Sequence, residues 1–466
     1  MSALPRRELL LFAVAALTSF GALTFHYVGE EAILTITSLE MWQRGDWLRL
    51  WMYGGDAQHG VFANWLVIPL AAAAGWDFVL PAARAVMVLS TIGTGIVVYL
   101  LLRRLGRDAA FALLAATVYI TFADILIYRG WLAYRDPLFG LLVFGAIAAL
   151  WIAARESRWS WLAGAGVLAF AAFLTKGLTA YVFVGSAGLI LIASRDTRGA
   201  LLQPRALLVA ALALALPLLW LYTVQTGGTQ TARFAGEIGA KLVPPGFGAW
   251  ALKLVSYPLE TWLRLLPASG VALYVWLRLP AARPALQRGS IARTAALMAA
   301  LGFLPYWLAP HSHFRYLLPV APLAAIVFAE LIAHGGERLR AITLQLMWAM
   351  VAVKLVFVAV AFPVYQAKYR GANYVAAAQA ILERTAGYPL YTTDVSASGL
   401  AVTAHIDGAR LPQPALTFPP AEWRDGFVIA YQPDPKLGEI AAQYRLGGND
   451  LYLLCRGAAC AVRDQR

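Results

Sequence analysis

Apolar runs long enough to cross a hydrocarbon core, about 20 residues each, recur along the first 363 positions with short polar segments between them. They lie near 9–27, 81–102, 109–127, 136–154, 159–175, 177–194, 205–224, 262–279, 293–309, 314–333 and 341–363. The segments 61–75 and 244–260 can add spans, so the pattern predicts about 11 to 13. Beyond residue 363 the periodicity changes. Short β-type runs, Phe427 to Tyr431 and Leu451 to Leu454, alternate with Pro, Gly and Asp turns and one helical stretch, Ala372 to Thr385. That is the signature of a small α/β domain. The predicted fold is therefore mainly α: a polytopic transmembrane helix bundle over 1–363, followed by an outer α/β domain over 364–466.

Composition supports a membrane as the solvent. Of 466 residues, 60% are hydrophobic and 14% are charged, whereas soluble domains carry roughly 25% charged residues. The net charge of +13 would suggest nucleic acid in a soluble chain, but the cations are sorted by side. With Arg6 and Arg7 inside, the loops on that side hold 16 Arg against six acids, while the opposite loops hold 11 cations and 10 acids. Basic residues mark the cytoplasmic side, so the charge reports orientation and no nucleic-acid partner is expected. The first run lacks a small-residue cleavage site and reads as a retained anchor with a cytoplasmic N-terminus. An odd number of spans then puts residues 364–466 in the periplasm of a two-membrane bacterium. There Cys455 and Cys460 can form a disulfide or remain two free thiols.

Two outer loops are long, 28–80 and 225–261. The first is rich in Trp and Tyr, which favour the headgroup level. The second, with Arg233, Glu237 and Lys241 before Pro244, has amphipathic spacing. Both are expected to lie in the interface and to frame a cleft, where a lipid-linked substrate would present its polar end.

Ionisable groups at membrane depth are costly and mark sites by default. Here they converge on the outer side: Glu30 and Glu31 after the first span; Arg129, Arg135 and Asp136 before the fourth; Lys176 between the fifth and sixth; His311, His313 and Arg315 before the tenth. Each has a plain structural alternative. A Lys or Arg at a span end can snorkel to headgroups, Asp136 before Pro137 can start a helix, and His311 with His313 can be a loop pair. Together, a carboxylate can deprotonate an acceptor, while Lys and Arg can hold a phosphate leaving group. Lys354, in the middle of the last span, is expected to face the bundle interior and stands outside this set.

In this order the residues resemble the GT-C polytopic glycosyltransferases, particularly the lipid A aminoarabinose transferases and the protein O-mannosyltransferases, over roughly residues 1–335. Gly29-Glu30-Glu31 resembles the family's first-loop acidic pair, and Met41 to Trp47 its Met-x-x-x-Gly-Asp-Trp stretch. Asn64-Trp65-Leu66 stands at its aromatic-leucine pair, and Asp136-Pro137-Leu138 at its second acidic site. Leu174-Thr175-Lys176-Gly177 matches its Leu-Thr-Lys-Gly turn, and Arg315 to Pro319 with Pro322 resembles its Tyr-x-Leu-Pro-x-x-Pro segment.

The resemblance implies transfer from a polyprenyl-phosphate sugar, such as an undecaprenyl-phosphate donor, with inversion on the outer face. The acceptor would be a lipid, a glycan or a protein. Glu30 would be the general base, with Glu31 and Asp136 supporting it or positioning the acceptor; Lys176 and Arg315 would contact the phosphate. Two departures stand out. The first acid is Glu and not the usual Asp, and the family's Lys-Pro-Pro is replaced near Gln58-His59-Gly60. Either His59 takes over that charge, or phosphate binding uses Arg129, Arg135 or Lys241; His313, beside Arg315, is a further candidate for the donor phosphate. A divalent ion, Mg or Mn, remains open, with the three carboxylates as oxygen donors. A transporter or flippase of a lipid-linked saccharide is the alternative, although such proteins usually place their charges at mid-membrane; a non-catalytic receptor is a third.

Overall fold

The computed structural model describes residues 5–57, 60–224, 246–371, 373–447 and 449–465. The chain divides into two compact units: residues 1–20, 87–131 and 135–355 form the first, and 21–86, 132–134 and 356–466 the second.

The first unit is helical. Among the described residues of the whole chain, six helices are long and apolar enough to cross a membrane, and four shorter apolar ones accompany them. Among the early helices are α1 (Arg6–Phe20), α2 (Ala32–Arg44), α3 (Phe62–Ala74), α4 (Val79–Arg104), α5 (Ala109–Ile120), α6 (Asp136–Glu156), α7 (Trp159–Lys176), α8 (Thr179–Ala193), α9 (Arg195–Leu201) and α10 (Pro204–Val224). A helix that is apolar all round belongs inside a bundle or against lipid, and burial separates the two cases. The apolar window of α6 is 89% buried and that of α10 is 6% buried, so α6 is a bundle core and α10 a lipid-facing helix.

Several expected spans are interrupted. The run 109–127 gives α5 and then a π-helical turn, Ile125–Arg129. The run 262–279 breaks at Pro267, after which a helix spans Ala268–Arg278. Proline and π-turns are the usual causes of such breaks. On the Arg-rich end, buried Glu8 of α1 pairs with Arg340 at 2.6 Å, and Glu330 pairs with Arg107 at 2.9 Å.

The second unit holds a four-stranded sheet in the order β3-β4-β6-β5, from β3 (Leu390–Thr392), β4 (Gly426–Ala430), β5 (Glu439–Arg445) and β6 (Asp450–Arg456). β3 and β4 are parallel, joined through the helix Ala397–Ala409, while β6 runs antiparallel to both β4 and β5. Every residue of β4 is buried, as a strand covered on both faces should be. Cys455 and Cys460 are disulfide-bonded.

This unit also contains the first long loop, which forms strands as well as the helices α2 and α3. Between α2 and α3 lies a tight hairpin, β1 (Trp51–Met52) and β2 (Gly55–Asp56). Its two-residue turn puts Tyr53 at φ 58° and Gly54 at φ 75°, the backbone that closes twisted strands. Tyr53 is an unfavoured residue there. It is held by the buried Glu40 carboxylate, which accepts from the Tyr53 N–H at 2.5 Å and the Gly54 N–H at 3.3 Å. The Tyr53 ring packs edge-on to Phe418, and its hydroxyl donates to the Asp394 carbonyl.

Candidate functional site

The candidate residues fall in both units. In the second, the chain turns at Gly29 (φ 58°), where any Cβ would collide with the Tyr134 hydroxyl; only glycine satisfies both demands. That hydroxyl accepts from the Glu30 N–H at 2.9 Å. The Glu30 side chain is exposed, whereas Glu31 is buried. Both Glu31 oxygens are engaged. Oε1 accepts from Arg84 Nε at 3.0 Å and from the Ala133 N–H at 2.7 Å; Oε2 accepts from Arg84 Nη2 at 2.5 Å and from the Val28 N–H at 2.8 Å. Arg84 is itself fully buried and donates further to the carbonyls of Ala22, Phe25 and His26. Adjacent carboxylates thus differ in burial: Glu31 is buried and fastens the turn, whereas Glu30 lies at the surface. Asn64 ties α3 to α2 through Thr37 and Ser38, each at 2.9 Å.

In the first unit, α6 starts at Asp136 with Pro137 in its first turn, and the N-cap position is Arg135 and not Asp136. Its buried carboxylate instead accepts from Lys176 Nζ, which α7 delivers at its last position. Gly177, at φ 72°, ends that helix. The Lys176 ammonium lies 5.0 Å from the Tyr316 ring and 5.7 Å from the Phe139 ring, a cation held over aromatic faces. Tyr316 also meets Arg315, with a guanidinium-to-ring distance of 5.2 Å, and His313, with ring centroids 5.9 Å apart. Burial, then Arg315 and Arg129, lower the His313 pKa from the usual histidine value. Burial lowers Arg135 to about 10.

A cavity of about 680 Å³ opens in the same unit, mostly apolar and lined by Ile127, Tyr128, Leu259 and Leu263 with Asp124 and Arg264. Asp124 is buried and accepts from Arg264; Arg129 stands 3.9 Å away, and Arg264 also pairs with Glu260 at 2.8 Å. One wall is the amphipathic helix Phe247–Arg264. Lys253 fixes it by donating to the carbonyls of Tyr306, Trp307 and Ala309 at the end of a neighbouring helix. Lys354 is fully buried, 5.1 Å from the Trp131 ring and 3.4 Å from the Ile127 carbonyl of the π-turn.

His59 and Lys241 lie outside the described residues. Among the described residues no three His, Cys, Asp or Glu side chains gather to hold a metal ion. Arg84, Arg264 and Tyr134 join the candidate residues only in the folded chain. Arg84 had a signal, a lone cation inside the apolar run 81–102, which by cost alone should face a partner.

Comparison with known proteins agrees with the fold. Residues 58–222 match the family described as dolichyl-phosphate-mannose-protein mannosyltransferase. An undecaprenyl phosphate-α-4-amino-4-deoxy-L-arabinose arabinosyl transferase of Pseudomonas fluorescens is 26% identical over 76% of this chain and 61% of its own length. Its counterpart in Pseudomonas aeruginosa is 28% identical over 60% of this chain and 54% of its own. The chain thus spans about three-fifths of the length of these relatives. Among solved structures, ArnT from Cupriavidus metallidurans bound to undecaprenyl phosphate superposes with a TM-score of 0.71 at 15% identity, over 97% of this chain and 98% of that one. The Archaeoglobus fulgidus oligosaccharyltransferase gives 0.52 at 13% identity, over 85% of this chain and 61% of that one. The chain is a multi-pass membrane protein of the GT-C fold that resembles the aminoarabinose transferases.

Proposed function

We propose that the chain is a membrane glycosyltransferase that moves a sugar from a polyprenyl-phosphate donor to an acceptor on the periplasmic face. The observation that carries this reading is the apolar cavity with Arg264 and Asp124 in its wall and Arg129 beside them: apolar walls suit a prenyl chain, and guanidinium groups suit a phosphate. The named relatives, whose donor is an undecaprenyl-phosphate aminosugar, support the same class.

In this reading the exposed Glu30 takes the proton from an acceptor hydroxyl or amine. The acceptor atom attacks the anomeric carbon from the face opposite the phosphate. The bond between that carbon and the phosphate oxygen breaks, and polyprenyl phosphate departs with the electron pair, so configuration inverts. Lys176, Arg315 and Arg129 stabilise the charge that grows on the leaving group. Lys176 is held ready by Asp136, and Glu31 acts by fixing the turn that carries Glu30.

The test is transfer by the purified protein from undecaprenyl-phosphate 4-amino-4-deoxy-L-arabinose to envelope lipid. Glu30→Gln should lower kcat by about 10²- to 10⁴-fold, the usual scale for a lost general base. Full activity in that variant, or transport of labelled donor across vesicles without product, would overturn the proposal.

A further inference from the structure

We propose that the chain beyond residue 356 is a clamp on the turn that carries Glu30, with Gln366 and His405 as positioning residues; this rests on the reading of Glu30 as the base. The residues ahead of the turn, 25–27, are held one after another by groups more than 330 positions away in sequence. Phe25 packs on Phe362 with ring centroids 4.8 Å apart. His26 donates its N–H to Gln366 Oε1 at 3.1 Å and accepts from Gln366 Nε2 at 3.0 Å. The buried amide therefore grips both the N–H and the C=O of one residue, as a neighbouring strand would. Tyr27 meets His405 edge-on at 5.2 Å, and its hydroxyl pairs with Thr35 at 3.0 Å.

The grip joins the buried ion pair. The His26 carbonyl that accepts from Gln366 also accepts from Arg84 Nη2 at 2.9 Å, and that same nitrogen bonds Glu31. Gln366, His26, Arg84 and Glu31 are thus one connected network ending at the residue next to Glu30. The far end of α2 is held in the same way: the Gln43 amide donates to the Gln413 carbonyl and accepts from the Ala415 N–H, both at 3.0 Å. An accessory domain that only bound an acceptor would not need to bond the backbone ahead of the base. Polar networks of this kind, when fully satisfied, rigidify what they hold.

Hydrogen exchange and transfer, measured on the full-length protein in detergent, test the clamp. Gln366→Leu should speed exchange in residues 25–34 by about tenfold or more through local opening, with residues 136–156 unchanged. With undecaprenyl-phosphate 4-amino-4-deoxy-L-arabinose as donor, it should lower kcat about tenfold while leaving KM within about twofold, the pattern of a misplaced base. His405→Ala should act in the same direction, and His405→Phe, which keeps an aromatic edge on Tyr27, should restore most of the rate. Unchanged exchange in residues 25–34, or an effect on KM alone, would overturn the clamp. Full transfer by Glu30→Gln counts against the base and leaves the exchange result to decide the clamp.

Discussion

Glu31 and Arg84 form an ion pair with 2.5 Å between Oε2 and Nη2, and neither side chain is exposed. Such a pair stabilises little relative to an apolar one, but removing one partner strands a buried charge, at about 3–5 kcal/mol. Arg84→Met should lower the unfolding midpoint sharply in detergent. The double variant Glu31→Gln with Arg84→Met should recover part of the loss. Additive losses in a double-mutant cycle would contradict the coupling.

Gly29→Ala meets two obstacles, a left-handed backbone worth about 1–2 kcal/mol against a side chain and the Tyr134 hydroxyl in the space of the new methyl group. Tyr134→Phe removes the second obstacle and leaves the first. Transfer by Gly29→Ala should be nearly abolished, and Gly29→Ala with Tyr134→Phe should be measurably more active.

Arg264 holds Asp124 and Glu260 in the cavity wall. If the cavity takes the lipid phosphate, Arg264→Ala should raise KM for the donor by about tenfold, the loss of one charge-assisted contact. Leu263→Ala, on the same wall, should leave the salt dependence of binding unchanged.

Asp407 gives a pH signature. Burial pushes its carboxyl up to about 7, against the bond from the Leu416 N–H. Its folded pKa lies above the unfolded value near 3.9, so its contribution to stability is fully present below that value and is lost as pH rises toward 7. The second unit should lose stability between pH 4 and 7 by up to a few kcal/mol. Asp407→Asn should flatten that slope in thermal unfolding scans across pH.

Much of the bundle was legible because a hydrocarbon solvent writes its demands locally, as runs such as 81–102 and 136–154, and α4 and α6 follow them. The acidic candidates were visible as charges at the ends of such runs. What they do was not. The sequence shows Glu30 and Glu31 as neighbours, and only packing makes one exposed and the other buried beside Arg84, 53 positions on. The Asp136–Lys176 pair was read as two separate features for the same reason. The hairpin at Tyr53 was hidden because its turn uses a tyrosine in a conformation that propensity disfavours, held by Glu40 from another element. His59 and Lys241, the remaining candidates, lie outside the described residues.

The strand order has a consequence for biogenesis. β6 lies between β4 and β5 although it follows both in the chain, so β4 has no partner on that edge until residue 456 has been synthesised. The partners of His26, Tyr27 and Gln43 are also translated more than 330 residues after them. Contacts of such long sequence separation form late. The turn bearing Glu30 leaves the ribosome first and is fastened last, so a nascent or truncated chain would insert its early helices with that turn unfastened. If Glu30 is the base proposed above, transfer waits for these late contacts.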